Sequence, residues 1–270
     1  MVEKKLSRGD IWFDIMTEGY TVRTGQCASV RVADGELDGK AARVIAVVPD
    51  SDNQYPRAAR GEVGLLEGWT LGKVVAEAVE QDRDKAEKRA IIAVIDVPSQ
   101  AYGRREEAFG IHLALSAAAG AYATARLAGH PVIGLIVGKA MSGAFLAHGY
   151  QANRLIAFND KEVLIHAMGK ASAARITKRT VDSLEELAST IPPMAYDISN
   201  YATLGLLENL LDIADPSSPT QAEINLVVET VKQAVVTARN HGTSLDNRLG
   251  SPNRAGTVLV RRMMREQWAA

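Results

Sequence analysis

Between residues 27 and 50 apolar and polar positions alternate with the two-residue period of a half-buried strand. Val30 and Val32 share one face, residues 34–39 (Asp-Gly-Glu-Leu-Asp-Gly) predict a turn, and residues 43–48 resume an apolar strand. An Asp-Gly step between such runs is a hairpin signal. Residues 51–64 are polar, include Asn53 and Pro56, and read as a loop. From Leu65 the period becomes helical. Leu71, Val74, Val75, Ala78 and Val79 form one stripe, predicting a helix over 65–87 that Lys88 and Arg89 close. Residues 90–97 form an apolar run ending at Pro98, which predicts a strand buried on both faces. A polar loop over 99–105 leads to an alanine-rich helix over 106–128, stopped by Gly129-His130-Pro131. Residues 132–137 predict a second buried strand, 138–142 a turn and 143–151 a short apolar helix. Short strands follow over 154–158 and 163–166.

This alternation of strands and helices is the α/β signature with a mainly parallel sheet. Beyond Met168 the chain turns helical and more polar, over 172–180, 183–190, part of 196–211, and 221–241. Pro192-Pro193 and Pro216-Ser217-Ser218-Pro219 punctuate this region, and no long linker divides it. The expected organisation is one domain over 1–242 and a basic extension over 243–270. That extension carries Arg248, Arg254, Arg261, Arg262, Arg265 and Trp268, and is read as solvated or as a contact with a partner.

Composition narrows the function classes. Aromatics are 5% of the 270 residues, too few to favour single-strand binding by base stacking. With 31 Lys and Arg against 32 Asp and Glu, the net charge of −1 exerts no pull toward nucleic acid or an acidic membrane. The single cysteine, Cys27, excludes an internal disulfide framework and a multi-cysteine zinc site, and reads as a filler. No leader pattern follows Lys4-Lys5, and the longest apolar runs fall short of the ~18 residues of a membrane span. The expectation is a cytoplasmic protein. Neither G-x-x-x-x-G-K-[ST] nor G-x-G-x-x-G occurs, and no H-x-x-x-H pair is present, so phosphate loops and helical zinc sites are unsupported.

Two loops carry the candidate chemistry. The first is Asp96-Val97-Pro98-Ser99-Gln100-Ala101-Tyr102-Gly103, between a strand and a helix. Backbone N–H groups at such a helix start lack partners and can hold an anion or an oxyanion. Ser99, Gln100, Ala101, Tyr102 and Gly103 are therefore candidate substrate-binding residues; the alternative is a plain connecting loop. The second loop is Gly138-Lys139-Ala140-Met141-Ser142-Gly143-Ala144-Phe145. Gly143 and Ala144 offer N–H groups as candidate catalytic donors, with Ser142 beside them as a binding residue; the alternative is close helix–sheet packing. Adjacent parallel strands bring such loops together at their carboxyl ends, where α/β sites form.

These same residues carry a resemblance. Asp-Val-Pro at 96–98, Gly103, Glu107, Gly110-Ile111 and Ser-Gly-Ala-Phe at 142–145 resemble the C-terminal half of the biotin-dependent acyl-CoA carboxyltransferases, of the crotonase/ClpP superfamily. Arg8-Gly9-Asp10-Ile11-Trp12, the block over 30–35, Asp-Val-Pro-Ser-Gln-Ala-Tyr-Gly-Arg-Arg-Glu-Glu over 96–107 and Gly-Lys-Ala-Met-Ser-Gly-Ala-Phe resemble a biotin-free branch, the gamma subunits of malonate decarboxylase, over residues 8–240. The resemblance implies a crotonase-like spiral of ββα units with a mainly parallel sheet and a helical C-terminal region. It implies a heteromer with a homologous beta subunit, an acyl carrier protein and an acyl-carrier transferase. The implied reaction turns malonyl-carrier into acetyl-carrier and CO₂. It further implies that no cofactor binds this chain directly and that the acyl group rides on the carrier's dephospho-CoA-derived arm. The resemblance also implies two oxyanion holes, one from the beta subunit and one at Gly143 and Ala144.

Three other readings compete. ClpP-type serine proteases have A-S-M-G-A-F at this elbow and a histidine about 25 residues on. His166 stands 25 residues after Met141, but Met141 holds the nucleophile position and Ser142 comes one place late. A catalytically silent partner of the beta subunit is the second reading. A crotonase-type enzyme acting alone is the third. It needs a carboxylate near the loops, for which Glu106 and Glu107 are the candidates, and their place at a helix start equally suits the helix dipole.

Overall fold

The computed structural model describes residues 6–269. Helix α1 (Arg8–Met16) is opened by a capping box in which Ser7 and Asp10 satisfy each other's backbone N–H. Strands β1 (Thr21–Val22), β2 (Val30–Leu37) and β3 (Lys40–Val47) form an antiparallel edge. The hairpin turn is only Asp38-Gly39, both with positive φ, as a two-residue turn requires. Asp34-Gly35, expected in the turn, lies within β2. There the Asp34 carboxylate holds the buried Arg43 guanidinium of β3 at 2.7 Å, and the bare Gly35 accommodates the Tyr20 ring.

Helix α2 (Leu65–Gln81) is shorter than its stripe predicts. Asp82 caps its end through its backbone N–H to Ala78 O, and its buried carboxylate accepts from the Arg89 backbone N–H and guanidinium, turning the chain into β4 (Ala90–Val97). The helix expected over 106–128 is two helices, α3 (Arg104–Ala108) and α4 (Ile111–Leu127). Gly110 between them has φ +82, a left-handed conformation that ends one helix and starts the next. Helices α2 and α4 cross closely, because a Cβ at Gly68 would come within 2.8 Å of the Ala114 backbone.

Strand β5 (Val132–Met141) runs through the expected turn at 138–142 and hands over to helix α5 (Ser142–Ala147). Its pairing with β4 shifts register between Ile95 and Val97, and Val97 is then opposite Ala140. Asp96 fills the resulting bulge. One carboxylate oxygen accepts from Lys139 N at 3.1 Å and the other from Gly9 N at 3.3 Å. Strands β6 (Arg154–Phe158), β7 (Ile165–His166) and β8 (Asn209–Leu211) complete the sheet in the order β1-β2-β3-β4-β5-β6-β8, with β7 beside the end of β5. From β3 to β8 all pairs are parallel.

Helices α6 (Lys170–Thr177), α7 (Val181–Ala188) and α8 (Ile198–Ala202) follow β7, and α9 (Gln221–His241) packs on β5 and β6. Trp12 is fully buried against Phe158, and its indole N–H donates to Pro216 O at 2.8 Å, which joins the first helix to the loop before α9. The basic extension is not uniformly solvated. Arg248 is buried and donates to Tyr150 O and Ala152 O, whereas α10 (Ala255–Ala269) buries none of its side chains. Among the described residues no helix is long and apolar enough to cross a membrane.

His148 is enclosed beside α4. Its Nε2–H donates to Val94 O at 2.9 Å, so Nδ1 accepts from the Tyr122 hydroxyl at 3.0 Å. Burial pushes the imidazole down to about 4, against the weaker opposing effect of the Val94 bond. The neutral form is the folded form. Its stabilisation is complete above the ordinary value of 6.5 and is lost as pH falls toward 4. At full size it is on the order of 3 kcal/mol. We expect an NMR titration to find this imidazole neutral down to near pH 4, with the unfolding temperature falling from about pH 6.5 downward. We also expect Gly138→Ala to lower stability by about 1–3 kcal/mol in denaturant unfolding, since its Cβ would lie 2.6 Å from Asp96 Cγ and expel the carboxylate from its two N–H partners.

Candidate functional site

The two loops meet at the carboxyl ends of β4 and β5. Gln100 closes the gap: its side-chain Oε1 accepts from Gly143 N at 2.9 Å. This bond settles the orientation of the Gln100 amide, because a backbone N–H requires the oxygen to face it. Two backbone donors of the first loop are spent locally: Ala101 N donates to Val63 O at 2.8 Å and Tyr102 N to Gln100 O, while Ser99 O accepts from Val63 N. Ala101 is buried. Tyr102 stands on the outer side with the Arg57 guanidinium stacked 4.0 Å from its ring centre. Gly103 caps α3 in an extended conformation, and the half-turn after it brings the Glu106 carboxylate against it.

The second loop is a sharp elbow. Ser142 has φ +57, in the left-handed region where a side chain costs about 1–2 kcal/mol. That turn lets β5 end and α5 begin without a linking residue. Gly143 and Ala144 occupy the first turn of α5, where N–H groups have no intrahelical acceptor. A Cβ on Gly143 would sit 3.3 Å from Leu115 and 3.4 Å from Gln100 Oε1, so the approach to its N–H depends on glycine. Ala144 lies fully buried behind it.

Ser142 and Gly143 also line a cleft of about 310 Å³ whose far walls come from Pro192, Tyr201 and Leu206. His166 lines it too, held by parallel pairing with Met141. The imidazole stacks flat on Tyr196 at 3.9 Å, and Nδ1 lies 3.1 Å from Met168 O. Burial lowers its pKa, against the opposing effect of that backbone contact. Among the described residues no hydrogen bond joins Ser142 to His166, so the pair lacks the geometry of an activated serine.

The structure therefore brings Gln100, Ser142, Gly143 and Ala144 into one place. Ser99, Ala101, Tyr102 and Gly103 shape the loop that carries Gln100. The cleft's outer wall, residues 192–206, was not legible in the sequence. It is built by Pro192-Pro193 and the segment around Tyr201, which have no periodic signal linking them to the elbow. Only His166 had one, in its spacing from Met141. Among the described residues no group of three or more His, Cys, Asp or Glu could hold a metal ion.

Known proteins share this architecture. The chain is similar to a subunit of a Pseudomonas malonate decarboxylase hetero-tetramer solved with coenzyme A, at 58% identity and a TM-score of 0.94 over 97% of this chain and 100% of that one. It is similar to a chain of the Pseudomonas MdcD-MdcE hetero-dimer, at 55% identity and a TM-score of 0.90 over 97% and 99%. The transcarboxylase 12S core, at 18% identity and a TM-score of 0.63 over 87% of this chain and 41% of that one, shares the fold. A curated relative from Malonomonas rubra, a malonyl-S-ACP:biotin-protein carboxyltransferase, is 38% identical over 167 residues, which are 61% of this chain. The match spans 57% of that relative's length. The family profile of the malonate decarboxylase gamma subunit matches residues 58–268. With most of its length matched by that profile, the chain belongs to the malonate decarboxylase gamma subunit family.

Proposed function

We propose that the chain is the gamma half of a malonyl-acyl carrier protein decarboxylase, with a site completed by a homologous beta subunit. The observation that carries this reading is the Gly143 amide, presented at the elbow beside a cleft that no acidic residue lines among the described residues. In this reaction the bond between the malonyl carboxylate carbon and C2 breaks. Its electron pair passes to the thioester as an enolate, CO₂ departs, and a proton from water completes the acetyl group. The thioester is the electron sink, so the chemistry needs donors for developing charge and no bound electron acceptor. One such donor is worth about 2.7–4 kcal/mol in a preorganised site.

On this reading the beta subunit supplies the donors for the thioester oxygen, and Gly143 and Ala144 face an oxygen of the departing carboxylate. In the free subunit Gln100 Oε1 occupies the Gly143 donor. A carboxylate oxygen makes a charge-assisted bond, about twice as strong as the neutral one, and displaces it. Gln100 thus keeps the donor aimed while the site is empty. Ser142 contributes the turn that aims α5. The partners that fit are the homologous beta subunit, an acyl carrier protein whose dephospho-CoA-derived arm brings the malonyl thioester, and the acyl-carrier transferase that loads it. A cytoplasmic complex without nucleic-acid or membrane partners suits the near-zero net charge.

We expect the isolated chain to show no malonyl-carrier decarboxylation and to gain it when the beta subunit is added, followed by CO₂ release. Full turnover by the chain alone would eliminate the shared site. Within the assembled complex, Ala144→Pro deletes one N–H in the first turn of α5, where proline is tolerated. Because that N–H is aimed at the carboxylate, whose charge is present in the ground state and leaves in the transition state, we expect KM to rise about ten- to a hundredfold and to carry most of the fall in kcat/KM. Ser142→Ala should cost at most about tenfold, whereas a serine mechanism would lose all turnover.

A further inference from the structure

The last helix presents its two sides in the reverse of the usual order. At about 100° per residue, Leu259, Val260, Met263 and Met264 of α10 fall within an arc of about 140°, and Arg261, Arg262 and Arg265 fall on the other side. An amphipathic helix of a globular domain turns its apolar stripe to the core. Here the charged side is turned inward. Arg261, Arg262, Arg265 and Glu266, with Val258, line a cavity of about 210 Å³ that they share with Leu249. Leu259, Val260, Met263 and Met264 do not line it, and they are 46% to 65% exposed. Trp268 stands at the edge of their stripe, more exposed still.

The subunit gives this helix little support. It buries none of its side chains, and the element it packs on most is the turn over Pro252–Arg254 from which it grows. A helix of 15 residues without a buried face is at the margin of stability in water. Yet α10 belongs to the domain common to the family, since the profile runs to residue 268. An apolar patch of this kind on a folded domain marks a contact with a protein or a membrane. Two observations select a permanent protein partner. The match to the hetero-dimer chain leaves out about eight residues of this chain, fewer than the 15 of α10, so part of the helix at least is matched in a pair that has no third kind of subunit. The stripe is also wholly apolar, as in permanent interfaces, whereas a carrier that comes and goes meets smaller and more polar surfaces. A lipid surface would need the arginines beside its headgroups, and they are turned back toward the body.

We propose that α10 is the docking arm for the homologous beta subunit, with the stripe of Leu259, Val260, Met263 and Met264 seated in an apolar groove of that subunit. The inference rests on the shared-site reading and adds to it a surface that holds the two halves together. Docking supplies the buried face that the helix lacks in the free chain.

The test is Leu259→Asp combined with Met263→Asp in the full-length chain, mixed with the beta subunit and followed by analytical ultracentrifugation. The Kd for the beta subunit should rise at least about a hundredfold, because an unpaired charge is costly at the centre of an apolar contact. Arg261→Ala, on the inward side, should change it less than about threefold. The free double variant should keep its unfolding temperature within about 2 °C, since α10 buries none of its side chains. An unchanged affinity for the beta subunit, or a larger loss of stability, would overturn the inference. So would a variant that binds the beta subunit normally but loses self-association, contact with the acyl carrier protein or binding to anionic phospholipid vesicles, since each of these names a different occupant. The wild-type chain run in parallel separates the two questions. If it fails to bind the beta subunit, the shared-site reading falls and the docking role with it. If it binds and the double variant binds equally well, only the role of α10 falls.

Discussion

The carboxylate of Asp96 decides where strand β5 ends, and the site depends on that ending. Parallel pairing with β4 would by itself keep the two strands in step. The side chain of Asp96 instead takes the place of a backbone acceptor for Lys139 N, and its second oxygen anchors Gly9 at the start of α1. Gly138 leaves room for it. The bulge shifts the register so that Ala140 comes opposite Val97 and also meets Ile165 of β7. From that point the chain has nowhere to go but into the elbow at Ser142. A single charged side chain thus couples the first helix, the two central strands and the position of the candidate donors.

Donor satisfaction organises the rest of the site. In the connecting loop after β4, the N–H groups of Ala101 and Tyr102 are paired with Val63 O and Gln100 O. The amide of Gln100 is left to reach across to Gly143. An N–H of a helix start that would otherwise face water is paired with a side-chain oxygen instead. The strain of Ser142 at φ +57 belongs to the same device, since a relaxed residue there would lengthen the turn and point α5 elsewhere.

The C-terminal third supplies a wall of the cleft. Its short helices lie across the mouth of the sheet, and Arg248 ties the extension back to the carbonyls of Tyr150 and Ala152. Helix α10 leaves Val258, Leu259, Met263 and Met264 exposed, and Trp268 is 93% exposed. Such a helix has no reason to form for its own sake in water, where short helices depend on packing of an apolar face.

The sequence by itself determined the elements whose periodicity is strong and local. The strands over 90–97 and 154–158 and the helix over 221–241 fall where the residue pattern puts them, because burial on both faces or on one stripe is written residue by residue. The family and the meeting of the Gln100 and Gly143 loops were also legible, from two motifs at the ends of neighbouring strands. Tertiary structure decided the rest. Gly110 splits a helix whose alanine pattern is continuous, and Asp34-Gly35 remains in a strand because Arg43 and Tyr20 claim it. Asp96 turns an expected loop into strand. The cleft beside the elbow is closed only because the segment after β7 brings Pro192, Tyr201 and Leu206 across it. In each case the deciding partner lies far along the chain or across the sheet, and local periodicity carries no record of which distant group will satisfy a hydrogen bond or fill a missing side chain.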